Sequence, residues 1–330
     1  MKKLLFSLKS DIILLLIKKG SLGMDKNHIL DSIFQIKAIQ SGQYDRGNKE
    51  WLFTKYHHSH EVLQAGKDIL NFEKMGQTLS DTEKQIIEIA LLLHDVGRAF
   101  EKNEDGSDKD FFLHGAEGMH FLKTKCKINE IAVLAAVMVH DQTDFLFLDT
   151  NEHALRRHPR FQLLPFQVKK SVLAVQKQYG QLSQKEKRFV KKVCHLVKDA
   201  DTYANLKAFE KMFLVTKESK NALVSPQVLD QVLKKEYVRY KDVKTLPDRG
   251  MVYLAWMHHF HYPTTARLAQ KERLPQRVKA HILSTLKQKR FSKFALMRIS
   301  HSFDKVLFSL DFEHKPLPRA VQRRNLSKTH

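Results

Sequence analysis

Cysteine is scarce in this chain. Cys126 and Cys194 are the only two in 330 residues, which excludes a disulfide scaffold and points to a reducing, cytoplasmic compartment. Both lie in apolar helical contexts where cysteine fills space. Glycine (12) and proline (8) are also few, which excludes collagen-like and low-complexity chains. No stretch reaches the roughly 20 consecutive apolar residues of a membrane span. Acidic residues are in deficit, with 36 Asp and Glu against 57 Lys and Arg, a net charge of +21. Such a chain is drawn to polyanions: nucleic acid, nucleotides or an anionic membrane surface. Residues 271–330 alone hold 15 Lys/Arg against 4 Asp/Glu, or +11.

Residues 1–22 place Lys2 and Lys3 before an apolar run that Lys9 and Asp11 interrupt and Lys18 and Lys19 follow. No small-x-small cleavage pattern appears. An over-extended start or disordered leader, a surface amphipathic helix and a true signal are the three readings of this segment.

What is present is helical periodicity, with no internal repeat. Residues 28–40 carry helical apolar spacing. His58, Val62, Ala65 and Ile69 form one stripe of a helix over 51–74. Ser80-Asp81-Thr82-Glu83 is a capping box that opens a very apolar helix. That helix runs into Leu91-Leu92-Leu93-His94-Asp95-Val96-Gly97-Arg98, where Gly97 supplies a stop. Residues 101–110 are acidic but lack the calcium-loop spacing, and read as a solvated loop. His114 opens a short helix in which Gly118 permits close backbone approach. An apolar helix over 129–139 stops at His140. Residues 141–180 read as an elaborated loop or helical insert bordering a site. In a helix over 185–213, Asp201 falls on the stripe of Val190, Val193, Val197, Ala204 and Ala208. Asp199, about 160° away around that helix, is expected to face outward. The tract His258-His259-Phe260-His261 fits no helical ligand pair and reads as helix-end packing, and the polar tail from 315 as flexible.

His58, His94, Asp95, His114, His140 and Asp201 thus all point into an otherwise apolar interior, where unpaired polar groups are costly. A divalent metal pairs with all of them at once. The order His…His-Asp…Asp, carried by His58-Ser59-x-x-Val62, His94-Asp95 and Ala200-Asp201-Thr202-Tyr203-Ala204-Asn205, resembles the HD-domain superfamily of metal-dependent phosphohydrolases over roughly residues 50–210. The resemblance implies an all-α helical bundle and divalent-metal hydrolysis of phosphoester or phosphoanhydride bonds. His114 in His-Gly-x-x-Gly and His140 are similar to the added ligands of binuclear members, such as cyclic-dinucleotide phosphodiesterases and diadenosine-polyphosphate hydrolases. That implies His58, His94 and Asp201 on one metal, His114 and His140 on another, and Asp95 bridging them and orienting a water. The nitrogen-rich set suits manganese, iron, cobalt or nickel better than magnesium. The Glu-Asp pair of alarmone hydrolases and the Gly-Tyr-Pro signature of cyclic-di-GMP enzymes are absent, so neither activity is implied.

Arg98 is the foremost candidate for a substrate phosphate contact, followed by Lys198, Asn205, Arg156, Arg157 and Arg160. The expected organisation is a leader over 1–23, a metal phosphohydrolase domain over 24–265 and a basic helical extension over 266–330. A nucleotide is the expected substrate. The rival readings are a nucleic-acid-binding module or a nuclease that uses the basic surface.

Overall fold

The helix-period pattern is realised throughout the described residues. A computed structural model describes residues 46–72, 76–101, 113–141, 146–212 and 223–310, and among them every regular element is a helix or a 3-10 turn. The segments 1–22, 28–40, the loop within 101–110 and the tail from 315 lie wholly or mostly outside the described residues. None of the described helices is long and apolar enough to cross a membrane.

The chain forms two compact units, dividing after Ala204. In the first, α1 (Arg46–Asn71) packs on α2 (Asp81–Leu93), which in turn packs on α4 (Ile131–Val139). The helix α3 (His114–Thr124) lies against α4, against α8 (Phe166–Gln181) and against the 3-10 turn Val96–Phe100. Ser80 caps α2 as a capping box with Glu83, which fixes where the helix starts. The stripe of α1 behaves as its spacing requires, with Val62, Ala65 and Ile69 buried beneath His58. Eight of the nine residues of α4 are buried, which makes it the apolar centre of this unit. The insert over 141–180 resolves into α5 (Leu146–Asp149), α6 (Glu152–Arg157), α7 (Pro159–Gln162) and α8. The long helix α9 (Gln184–Met212) follows. Cys126 and Cys194 are free and buried, and burial pushes both thiols up to about 12, so they fill space rather than react.

Two expectations need correction. Asp199 faces inward and is 1% exposed. The reason is a second apolar stripe on α9, in which Leu196, Tyr203, Leu206 and Phe209 are fully buried and share the Asp199 face. Gly97 does not end α2, which stops at Leu93. It sits within the following 3-10 turn, and what requires glycine there is close approach. A Cβ at Gly97 would lie 1.9 Å from the His114 carbonyl oxygen and 2.9 Å from the Gly118 amide nitrogen.

In the second unit, α10 (Pro226–Leu233) packs with α11 (Leu246–Met257), and α11 packs with α13 (Leu274–Gln288) and α14 (Lys293–Ser309). The short α12 (Pro263–Lys271) lies on α13. Residues 265 and 266 both lie within this unit, and helices before and after them share one apolar interior. Asp248 ties the starts of α10 and α11 together. It accepts hydrogen bonds from the Ser225 amide and hydroxyl and from the Lys244 and Thr245 amides. His258 caps α11 and is buried, and the His259 ring stacks on Tyr237 at 3.7 Å, as helix-end packing requires.

Candidate metal centre

Two helices end in the same way. His94 follows the last residue of α2 and His140 the last residue of α4. The final carbonyls of a helix have no partner within it. Each ring supplies one: His94 Nδ1 meets Leu91 O at 2.8 Å and His140 Nδ1 meets Val137 O at 2.8 Å. A nitrogen that donates to a carbonyl carries a proton, so in the neutral form of each ring Nε2 is left with its lone pair facing the interior. The carboxyl-terminal ends of α2 and α4 add partial negative charge at the same place.

The remaining groups converge there. His58 on α1 reaches Asp201 on α9, Nε2 to Oδ1, at 2.9 Å. Asp201 Oδ1 lies 3.8 Å from His94 Nε2. Asp95 Oδ1 lies 3.3 Å from His114 Nε2 and 3.4 Å from His140 Nε2, and those two ring nitrogens are 3.0 Å apart. The ligand atoms of His58, His94 and Asp201 form one group, and those of His94, Asp95 and His140 another, each within 4.8 Å. All six residues expected from the sequence are brought together.

Burial works against charge on every group here, and the pairings decide the outcome. Burial dominates at His94, holding its pKa down at about 4 despite Asp95 and Asp201 nearby, so its ring is neutral at neutral pH. Burial also opposes charge on His58, but the hydrogen bonds to Asp201 and Glu61 raise it to about 9. At His140 burial is the largest influence and opposes charge, but the hydrogen bond to Asp95 together with the nearby Asp141, Asp95 and Asp201 carboxylates raises the pKa. Asp95 and Asp201 resist burial through their histidine partners and stay well below the usual carboxylate range.

A divalent ion fits these residues on two observations. His94 Nε2 is fully buried and has no hydrogen-bond partner among the described residues, which is costly unless a cation takes its lone pair. His114 and His140 direct Nε2 atoms at each other, an arrangement that needs a proton or a metal between them. Separations of 2.9–3.4 Å are also those of neighbouring ligands about an ion bound at about 2.1 Å.

The other expected residues are placed as follows. Arg98 lies at the edge of the cluster, its Nε 3.4 Å from Asp95 Oδ1 and its Nη1 2.7 Å from Glu101 Oε1. Lys198 is buried on α9, and Asn205 follows Asp201 by one turn and is half-buried. Arg156, Arg157 and Arg160 are exposed on α6 and α7, where Glu152 engages Arg156.

Sequence reasoning missed two participants. Lys55 sits one turn before His58 on α1 and brings its Nζ 3.5 Å from Asp95 Oδ2. Its spacing from His58 placed it on the same face. Asp141 follows His140 as Asp95 follows His94, and that repeated dipeptide was the available signal. Its Oδ2 accepts from the Gly115 amide at 3.1 Å and lies 3.5 Å from His114 Nδ1, which fixes the ring that points at Asp95. Partners that orient a ligand histidine typically set metal affinity by about 10–100-fold. Asp141→Asn is therefore expected to weaken divalent-metal binding by about that factor with little change in fold, measured by competition with a chromogenic chelator.

The metal-free cluster also sets a pH optimum for stability. His94 is lowered from 6.5 to about 4, so the unfolded chain binds more protons between these values. Stability present above pH 6.5 is lost as pH falls through about 4, by about 3 kcal/mol. His58 is raised from 6.5 to about 9, so its contribution is present below 6.5 and lost as pH rises through about 9. Chelator-treated protein is expected to be most stable near pH 6.5, with urea midpoints falling on both sides.

No family model, curated protein or solved structure matches the chain.

Proposed function

We propose that this protein is a metal-dependent phosphohydrolase of the HD-domain type, acting on a nucleotide or related phosphoester or phosphoanhydride. The observation that supports the reading is the buried Nε2 of His94, without a hydrogen-bond partner among the described residues, at the meeting point of two His/Asp groups. His58, His94 and Asp201 would hold one ion. His114 and His140 would serve a second, with Asp95 between the two. Manganese, iron, cobalt and nickel suit these donors best. Bound there, such an ion supplies Lewis acidity toward a phosphoryl oxygen and acidifies water.

The protein's own groups do the rest. Asp95, held ionised by its histidine partners, would orient a water. Lys55 and Arg98 keep 24% and 29% of their side chains exposed while reaching opposite oxygens of Asp95. They are the cations available at the edge of the site to a substrate phosphate. Arg98 stays charged: burial works against it, but the neighbouring Asp95 and Glu101 raise its pKa. Asp141 and Glu61 hold the His114 and His58 rings in position.

The test is metal analysis of purified protein with hydrolysis of mononucleotides, dinucleoside polyphosphates and oligonucleotides in manganese. Stoichiometric metal with turnover that the chelator abolishes is the expected result. Protein that retains no divalent ion after loading, or turnover unaffected by the chelator, would overturn the reading. Cleavage of oligonucleotides without cleavage of mononucleotides would reassign it to a nuclease.

A further inference from the structure

Helix α14 carries two apolar faces. Ala295, Ile299, Phe303 and Val306 are buried, and the helix packs with α10, α11 and α13. On the other face, Phe294 is 64% exposed, Met297 61% and Phe308 88%. At 3.6 residues per turn these three fall on one stripe with exposed His301 and Lys305. The stripe runs about 21 Å along the helix axis. Single exposed apolar residues are ordinary on a monomer, whereas large ones aligned on one helix face mark an interaction surface.

The charge around the stripe is predominantly positive. Arg290, Lys293, Arg298 and Lys305 are exposed beside it, and the Arg298 guanidinium lies 5.8 Å from the centre of the Phe294 ring. Over residues 271–310 there are ten Lys/Arg and two Asp/Glu. Both acids are already engaged, Glu272 by Lys207 and Asp304 by Lys279.

We propose that this face of α14 docks on an anionic lipid bilayer. Phenylalanine and methionine enter the acyl boundary while flanking Lys and Arg meet lipid phosphates, the division of labour of an interfacial helix. A nucleic-acid strand fits less well. Phe294 and Phe308 lie at opposite ends of the stripe, whereas bases along a strand repeat about every 3.4 Å, and the face is convex helix rather than a groove. Stable peripheral attachment takes two weak signals, supplied here by the apolar side chains of the stripe and the basic residues beside it.

The experiment is co-sedimentation of the full chain with phosphatidylcholine vesicles, with and without phosphatidylserine. The protein is expected to partition onto the phosphatidylserine vesicles, less at high salt. Combining Phe294→Ser, Met297→Ser and Phe308→Ser is expected to lower partitioning by at least about tenfold. Because all three side chains are exposed, the thermal midpoint and bound metal stay unchanged. Arg290→Gln with Lys293→Gln and Arg298→Gln is expected to reduce the phosphatidylserine dependence specifically. The proposal is overturned if the wild type does not partition, or if the serine variant partitions equally, which would leave residues 1–22 as the attachment. Loss of oligonucleotide binding in the serine variant, without vesicle binding by the wild type, would overturn it in favour of nucleic acid.

Discussion

Asp95→Ala is expected to lose bound divalent metal together with the proposed phosphohydrolase turnover, and to destabilise the metal-free protein by about 2–3 kcal/mol. Asp95 Oδ1 lies 3.3–3.4 Å from His114 Nε2, His140 Nε2 and Arg98 Nε, and its Oδ2 faces Lys55 Nζ at 3.5 Å. Alanine leaves all four without their carboxylate. Removing one partner of a fully buried ion pair costs about 3–5 kcal/mol. The expected loss is smaller here because Lys55 and Arg98 reach solvent and the histidines can deprotonate. Asp95→Asn separates the two effects: its amide keeps the shape and one acceptor oxygen but offers no carboxylate to an ion. It is expected to retain most of the metal-free stability while still losing metal. Metal content by elemental analysis and urea unfolding in chelator are the two measurements. An alanine variant that keeps stoichiometric metal would remove Asp95 from the ligand set.

The second large effect lies at Gly97. A Cβ there would meet the His114 carbonyl oxygen at 1.9 Å, the His114 carbonyl carbon at 2.7 Å and the Gly118 nitrogen at 2.9 Å. All three are backbone atoms, so no flexible side chain can move aside. The turn carrying Asp95 and Arg98 would have to separate from the start of α3, which carries His114. Gly97→Ala is expected to cost about 3 kcal/mol or more, above the usual range for overpacking, and to lower metal affinity by misplacing Asp95 against His114. Gly180→Ala is the control. A Cβ at Gly180 meets nothing within 4 Å, and the residue lies near the end of α8. That change is expected to be stabilising by about 0.5–1 kcal/mol through helix propensity. Equal urea midpoints for the two variants would refute the close-contact account.

Much of the centre was legible because its ligands sit where helix periodicity leaves no ambiguity. His58 falls on a stripe with Val62, Ala65 and Ile69, and Asp201 on one with Val197 and Ala204. His94 and His140 each follow an apolar run that could only be buried. Asp199 marks the limit of what helix periodicity encodes. The stripe through Val197 and Ala204 marks one buried side of α9, yet Leu196 and Tyr203 bury the opposite side as well. Periodicity reports that a face is apolar; it does not report how many neighbours a helix has.

Lys55, Asp141 and Gly97 mark the same boundary. Their identities were visible, but their roles depend on pairs far apart in sequence: Lys55 with Asp95, Asp141 with His114 and Gly115, Gly97 with His114 and Gly118. The sequence by itself determined the helical class, the inward direction of six polar side chains and the excess of positive charge, because these follow from local spacing and composition. Only the tertiary structure decided that the ends of α2 and α4 aim two imidazole lone pairs into one buried place, and that a glycine pair brings Asp95 and His114 within 3.3 Å. Distances between helices are set by the side chains lying between them, and no single helix carries that information.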